Sequence, residues 1–199
     1  MPKEKFIMPM KIKKFYEQAL KELEAFFDLK LKPQVRFVND RKEIDKFLGY
    51  KTPRWLVGWA HKGKIYILRP ENYNAESIHK YSDKDYYQLI KHELAHLFFL
   101  KLSNGKAEPD WLWEGTSLFL SGQLDKKMNE YKSFLRYYKK TGPGVFKESG
   151  NAVSFLVKKY GAKKLLSLIE SLKKIKSKAD FKKNFEKIYG FELKYRNFR

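Results

Sequence analysis

The feature that most constrains this chain is the run His92-Glu93-Leu94-Ala95-His96, set inside its longest strongly apolar helical pattern, residues 86–102. On an α-helix, residues four apart share a face, so the two imidazoles stand side by side and reach one ion. Zinc, bound by nitrogen at about 2.0–2.1 Å, needs two or three further ligands, one of them water where the site is catalytic. Glu93, beside the histidines, is placed as the base toward that water. A third protein ligand is then required. The run Trp111-Leu112-Trp113-Glu114-Gly115-Thr116-Ser117 supplies it, carrying a carboxylate one turn into a new helix after a short polar loop. This reading assigns zinc to His92, His96 and Glu114, with Glu93 catalytic.

Composition closes off other chemistry. The chain has no cysteine, so thiolate zinc sites, thiol nucleophiles and disulfide scaffolds are excluded, and any metal must use His and carboxylate. At 199 residues one domain over 1–199 is the default. Within it the pattern predicts a sheet subdomain over about 1–105 and a helical subdomain over about 106–199. Residues 1–9 show no signal-type apolar run, and no stretch of eighteen apolar residues occurs, so a soluble cytoplasmic monomer is expected, with no membrane span. The net charge of +20 raises nucleic acid as a partner. Most of that charge is lysine in doublets such as Lys158-Lys159, Lys163-Lys164 and Lys173-Lys174, the mark of solvated helix faces. Nucleic acid is therefore not expected, although a basic rim attracts acidic substrates.

Along the chain, residues 12–29 read as an amphipathic helix and 35–38 as a short strand. Asn39 or Asp40 caps a helix running to Leu48, which Gly49 closes. Strand patterns at 55–60 and 64–68 form a hairpin through His61-Lys62-Gly63, and 71–81 reads as a loop. The lone histidines His61 and His79 are placed outside the metal site. Ser82 to Asp85 caps the central helix, which ends at Ser103-Asn104-Gly105. Asp110 is the expected N-cap of the next helix, running to about Gly122. The remainder reads as helices, with apolar stripes at Tyr131, Phe134, Leu135 and Tyr138; Val153, Leu156, Val157 and Tyr160; Leu165 to Leu172; and Phe181 to Tyr189. The predicted fold class is α+β: a small mixed or antiparallel sheet packed on the His-Glu-x-x-His helix, then an all-helical half.

His92-Glu93-Leu94-Ala95-His96 followed by the run from Trp111 to Leu120 resembles the gluzincin metallopeptidases, in particular the small peptidase MA-like domains related to the catalytic domain of the M1 aminopeptidases. Gly58-Trp59-Ala60 and Lys64-Ile65-Tyr66-Ile67 are similar to the sheet before the metal helix in those domains. Phe155-Leu156 and the run from Lys159 to Leu165 are similar to their helical subdomain. The resemblance implies a zincin-like fold, zinc on His92, His96 and Glu114, Glu93 as general base, and hydrolysis of a peptide or protein substrate. It also implies an open strand edge that receives the substrate, for which Lys64, Ile65, Tyr66 and Ile67 are the candidates.

The chain departs from that pattern at four points. The spacing from His96 to Glu114 is one residue shorter than in the M1 enzymes, which the 103–109 loop absorbs. Phe146 stands where relatives carry a tyrosine that stabilises the oxyanion, and losing such a donor costs about 10²–10³ in rate. That leaves slow turnover, Tyr137 or Tyr138 as replacement donors, or no peptidase activity. The glutamate that holds a substrate's free amine is missing, Ser121 standing seven residues past Glu114, so an exopeptidase is not supported. Leu118 replaces an aspartate that one gluzincin branch uses to orient a ligand, leaving Ser117 or a backbone carbonyl for that role. Two functions follow: a zinc metallopeptidase, or a zincin-fold binding protein without turnover, in which zinc fixes two helices and the basic surface meets an acidic partner.

Overall fold

The chain opens, in the computed structural model, with α1 (Met10–Phe27), which buries Ile12, Ala19, Leu23 and Phe27 along one stripe and closes at Asp28 in the left-handed conformation, φ 51°. The structure describes residues 8–128, 130–139, 142 and 144–198. Residues 1–7, read above as free of a leader, lie outside them.

Four elements build the sheet layer: β1 (Gln34–Val38), α2 (Arg41–Leu48), β2 (Gly58–His61) and β3 (Lys64–Leu68). Asp40 caps α2 by accepting the Glu43 N–H at 2.8 Å, and Gly49 ends it at φ 80°. β2 and β3 pair antiparallel through Lys62 and Gly63, whose φ values of 46° and 73° are those a two-residue hairpin loop requires. β1 pairs with β3 in parallel, giving the order β1-β3-β2. This corrects the edge-strand assignment: Lys64 to Ile67 lie in the central strand, paired on both sides. Ile65 and Ile67, on the face toward the core, and Leu68 at the strand's end are each 0 % exposed, as suits a strand with neighbours on both edges. Among the described residues the open edge on the β2 side belongs to Gly58–His61.

The strand predicted over 55–60 begins only at Gly58. Leu56 N–H donates to the Pro53 carbonyl, and the Arg41 guanidinium donates to the carbonyls of Pro53, Arg54 and Leu56, so this backbone is satisfied without a ladder. The 71–81 loop also differs, holding a 3₁₀ turn (Pro70–Asn72) and the one-turn helix α3 (Tyr73–Glu76).

The central helix α4 (Asp83–Leu102) opens at Ser82, whose hydroxyl accepts the Asp85 N–H at 3.1 Å, and ends with Asn104 and Gly105 both at positive φ. Seven consecutive residues, Glu93 to Phe99, are buried. A helix covered on all faces is an interior one, and α1, the sheet and α5 (Asp110–Ser121) surround it. Pro109, not Asp110, takes the N-cap position of α5, its carbonyl accepting from Leu112 and Trp113. A π-helical turn (Val145–Ser149) leads into α6 (Gly150–Tyr160), followed by α7 (Ala162–Ser171) and α8 (Lys178–Tyr189).

The stripe at 131–138 is not a helix beyond the short turn Phe134–Arg136. The buried Glu148 carboxylate accepts N–H bonds from Lys132, Ser133 and Phe134 and the Ser133 hydroxyl, and holds the segment open. Trp111, Phe134, Phe181, Phe185 and Phe198 pack in the same continuous core as Leu94 and Phe98 of α4. The architecture is α+β, and among the described residues no helix is long and apolar enough to cross a membrane.

Gly115 lets α5 cross the π-helical turn: an added Cβ would lie 2.6 Å from the Ser149 carbonyl oxygen, a backbone atom that cannot swing aside. Alanine gains about 1 kcal/mol in helix propensity, whereas forced overpacking costs about 1–3 kcal/mol. Gly115→Ala is expected to be net destabilising in urea unfolding. Burial pushes the Glu148 carboxyl up, but the Ser133 and neighbouring N–H and O–H donors more than reverse this and hold it below the ordinary range. A carboxylate with a depressed folded pKa stabilises above its unfolded pKa and loses that contribution as pH falls through the folded one. Wild type is therefore expected to lose more stability than Glu148→Gln between pH 6 and pH 3, measured by urea midpoints.

Candidate metal centre

α4 contributes His92 and His96 from one face, their rings 4.7 Å apart and nearly perpendicular. α5 packs against that face and delivers Glu114 from its second turn. Glu114 Oε2 lies 3.5 Å from His92 Nε2 and 3.6 Å from His96 Nε2, and the three ligand atoms all fall within 4.8 Å of one another. These separations exceed a good hydrogen bond. They match the spacing of about 3.4 Å between ligands that share one tetrahedral ion at bonds of about 2.0–2.1 Å. Glu114 Oε2 is buried with no hydrogen-bond partner, a cost a cation removes. The residues present thus fit a divalent ion.

Ser117, one turn beyond Glu114, is the hydrogen-bond partner of His96: its hydroxyl oxygen lies 2.9 Å from His96 Nδ1 and 3.3 Å from the Trp113 carbonyl. With the hydroxyl donating to Trp113, His96 Nδ1 donates to Ser117 and the Nε2 lone pair faces Glu114, the tautomer a metal ligand needs. The Trp113 ring packs 4.1 Å from the His96 ring and fixes its plane. Ser117 therefore takes the role that Leu118 cannot fill. His92 Nδ1 is buried without such a partner.

Burial dominates the titration of the site. It pushes His96 down to about 3, partly offset by Glu114, so this imidazole is neutral. Burial works on His92 in the same direction, but Glu114 and Glu93 outweigh it and raise its pKa. Glu114 itself is pushed up by burial and pulled below its ordinary range by His96 and His92. Glu93, 5 % exposed, is pushed up to about 7 by burial, with His92 opposing and Glu114 reinforcing. No hydrogen bond to a described residue restrains its carboxylate. Gly58 of β2 presses against it: a Cβ there would meet Glu93 Cγ and Oε1 at 3.2 Å and Leu89 Cδ1 at 3.0 Å.

A cleft of about 640 Å³ opens over His92 and Glu93. Phe146 lines it, as do Leu118, Gln123 and Tyr73. Neither oxyanion candidate does. Tyr138 packs on Phe181 and lines a separate cavity with Trp111, because its segment is drawn to the amino end of α5, where Asp110 N–H donates to the Tyr138 carbonyl. Tyr137 lies against the backbone of Gly142 and Gly144. His79, set aside as a solvated loop residue, stands on the cleft wall with Nε2 3.2 Å from the Trp55 carbonyl, outside the triad. His61 is remote, its ring 5.7 Å from Phe47 on the other side of the sheet layer. Only tertiary folding brings Trp55, Tyr73 and His79 here; none lies within helical reach of the metal motif.

Searches of protein-family models, of curated proteins and of solved structures find no match to this chain. The centre stands on its own geometry.

Removing a group that orients a ligand typically costs 10–100-fold in metal affinity. Ser117→Ala is expected to weaken Zn²⁺ and Co²⁺ binding by about tenfold or more, measured by competition with a chromophoric chelator, while the urea midpoint moves little.

Proposed function

We propose that this chain is a zinc-dependent metallopeptidase of gluzincin type with a zincin-like fold. The observation that carries the reading is the convergence of His92 Nε2, His96 Nε2 and Glu114 Oε2 at tetrahedral-ligand spacing, with Glu93 beside them on the wall of an open cleft. The all-nitrogen-and-oxygen ligand set, two imidazoles and one carboxylate, suits zinc.

Zinc bound by these three residues supplies Lewis acidity toward a carbonyl oxygen and lowers the pKa of water. Glu93 takes the proton from the attacking water and returns it to the leaving amine, a task for which a carboxyl near neutrality is suited. Ser117 keeps His96 in its ligating tautomer. Gly58, by having no side chain, leaves space for the Glu93 carboxylate and brings the free edge of β2 to the cleft. A peptide adds there as a strand, on β2 rather than on the central β3.

One observation favours a second reading, a zinc-stabilised binding protein without turnover. The ring facing the cleft at position 146 is phenyl, and Tyr137 and Tyr138 are elsewhere, so no tyrosine stands where the family carries its oxyanion donor, and Tyr73 is the tyrosine on the cleft wall among the described residues.

Cleavage of unfolded casein by metal-loaded protein separates the two. The peptidase reading expects chelator-sensitive cleavage that falls by about 10²–10⁴ in Glu93→Gln, with metal content unchanged. Wild-type cleavage no faster than that of Glu93→Gln would sink it. Phe146→Tyr is expected to raise the rate by tenfold or more by restoring a hydroxyl donor.

A further inference from the structure

The cleft has an apolar mouth whose residues are exposed yet held in place. Six large apolar side chains are exposed among the described residues, and three of them, Trp55, Ile78 and Phe146, line this one cleft at 47 %, 67 % and 39 % exposure. The Trp55 and Phe146 rings lie 5.9 Å apart at 60°, although one precedes β2 and the other belongs to the π-helical turn before α6. They meet from opposite walls.

Both walls are rigid. Arg41 donates to the Arg54 and Leu56 carbonyls on either side of Trp55, and to the Glu76 carbonyl. His79 Nε2 donates to the Trp55 carbonyl itself, and Arg54 donates to the Ser77 carbonyl beside Ile78 at 3.1 Å. On the far wall Glu148, two residues from Phe146, accepts three backbone N–H bonds. Backbone tied down beside the mouth keeps these residues at the cleft, and clustered exposed apolar groups mark a recognition surface.

We propose that Trp55, Phe146 and Ile78 select peptides that carry a bulky apolar side chain, aromatic or branched aliphatic, near the bond presented to Glu93. The proposal rests on the peptidase reading for its setting, but it is tested by binding alone. The mouth is continuous with the cleft over His92 and Glu93, which leaves room for a side chain between the two rings and the metal-ligand face.

The test uses the zinc-loaded 199-residue chain carrying Glu93→Gln, whose turnover is expected to be too slow to consume the ligand during a titration, and a blocked five-residue alanine peptide whose central residue is Phe, Leu, Ala or Glu. Binding is measured by isothermal titration calorimetry. The Phe and Leu peptides are expected to bind at least tenfold more tightly than the Ala and Glu peptides. Adding Trp55→Ala is expected to remove most of that preference and Ile78→Ser part of it, while Phe47→Ala, an exposed aromatic outside the cleft, leaves it intact. Circular dichroism checks that each variant is folded, and Ile78→Ser carries the test should Trp55→Ala misfold. Equal binding of the Phe and Ala peptides within twofold, no binding of any peptide, or a preference that survives loss of the mouth residues overturns the proposal. Wild type that binds the Phe peptide with preference but cuts none of the four overturns the peptidase reading and leaves the mouth standing. Cleavage with no side-chain preference does the reverse.

Discussion

The carboxylate of Glu114 is the group on which the site depends. It is 8 % exposed, its Oε2 has no hydrogen-bond partner, and it faces two imidazoles at distances too long for strong hydrogen bonds. A buried carboxylate is costly unless a cation compensates it. His96 cannot serve, because burial keeps it neutral. Glu114 and Glu93 raise the His92 pKa against the effect of burial. The helices α4 and α5 therefore bring two imidazoles to one buried carboxylate, a charge that a divalent ion would compensate with all three at once.

Around that crossing, small residues stand at two close approaches of other elements. Gly115, adjacent to Glu114, brings α5 onto the Ser149 backbone, and Gly58 brings β2 onto Glu93. Both are neighbours of functional groups, and both act by the absence of a Cβ rather than by backbone freedom. Either contact, widened, would shift a functional carboxylate: Glu114 away from the imidazoles, or Glu93 away from the cleft. Spacing of this order matters, since the ligand separations of 3.5 and 3.6 Å already sit near the value a single ion requires.

What the sequence made legible is local chemistry. The caps at Asp40 and Ser82, the breaks at Gly49 and Gly105, and the shared face of His92 and His96 all follow from residues within a few positions of one another. The sheet order was not legible, because β1 reaches β3 by a parallel pairing that no nearest-neighbour pattern encodes. The apolar stripe at 131–138 has helical spacing yet stays open, because Glu148 offers its backbone a better set of acceptors. Tyr137 and Tyr138, offered as replacement donors for Phe146, lie off the cleft lining, because their segment is drawn to the amino end of α5 instead.

Two charged side chains near the cleft act in the same way. Arg41 holds the 53–56 backbone of the cleft wall by donating to its carbonyls, and Glu148, two residues from Phe146, holds the 132–134 backbone by accepting from its N–H groups. A single charged side chain in each case satisfies backbone that forms neither helix nor strand, and charge-assisted bonds of this kind are the stronger ones. Irregular backbone is thereby made as fixed as a secondary element. The candidate metal ligands sit on regular helices, where geometry comes from the 3.6-residue period, whereas of the exposed apolar groups at the cleft mouth Trp55 and Ile78 sit on pinned irregular backbone and Phe146 on the π-helical turn. The mouth and the candidate metal centre are thus built by separate parts of the chain, so a change at the mouth leaves the atoms of His92, His96 and Glu114 where they are.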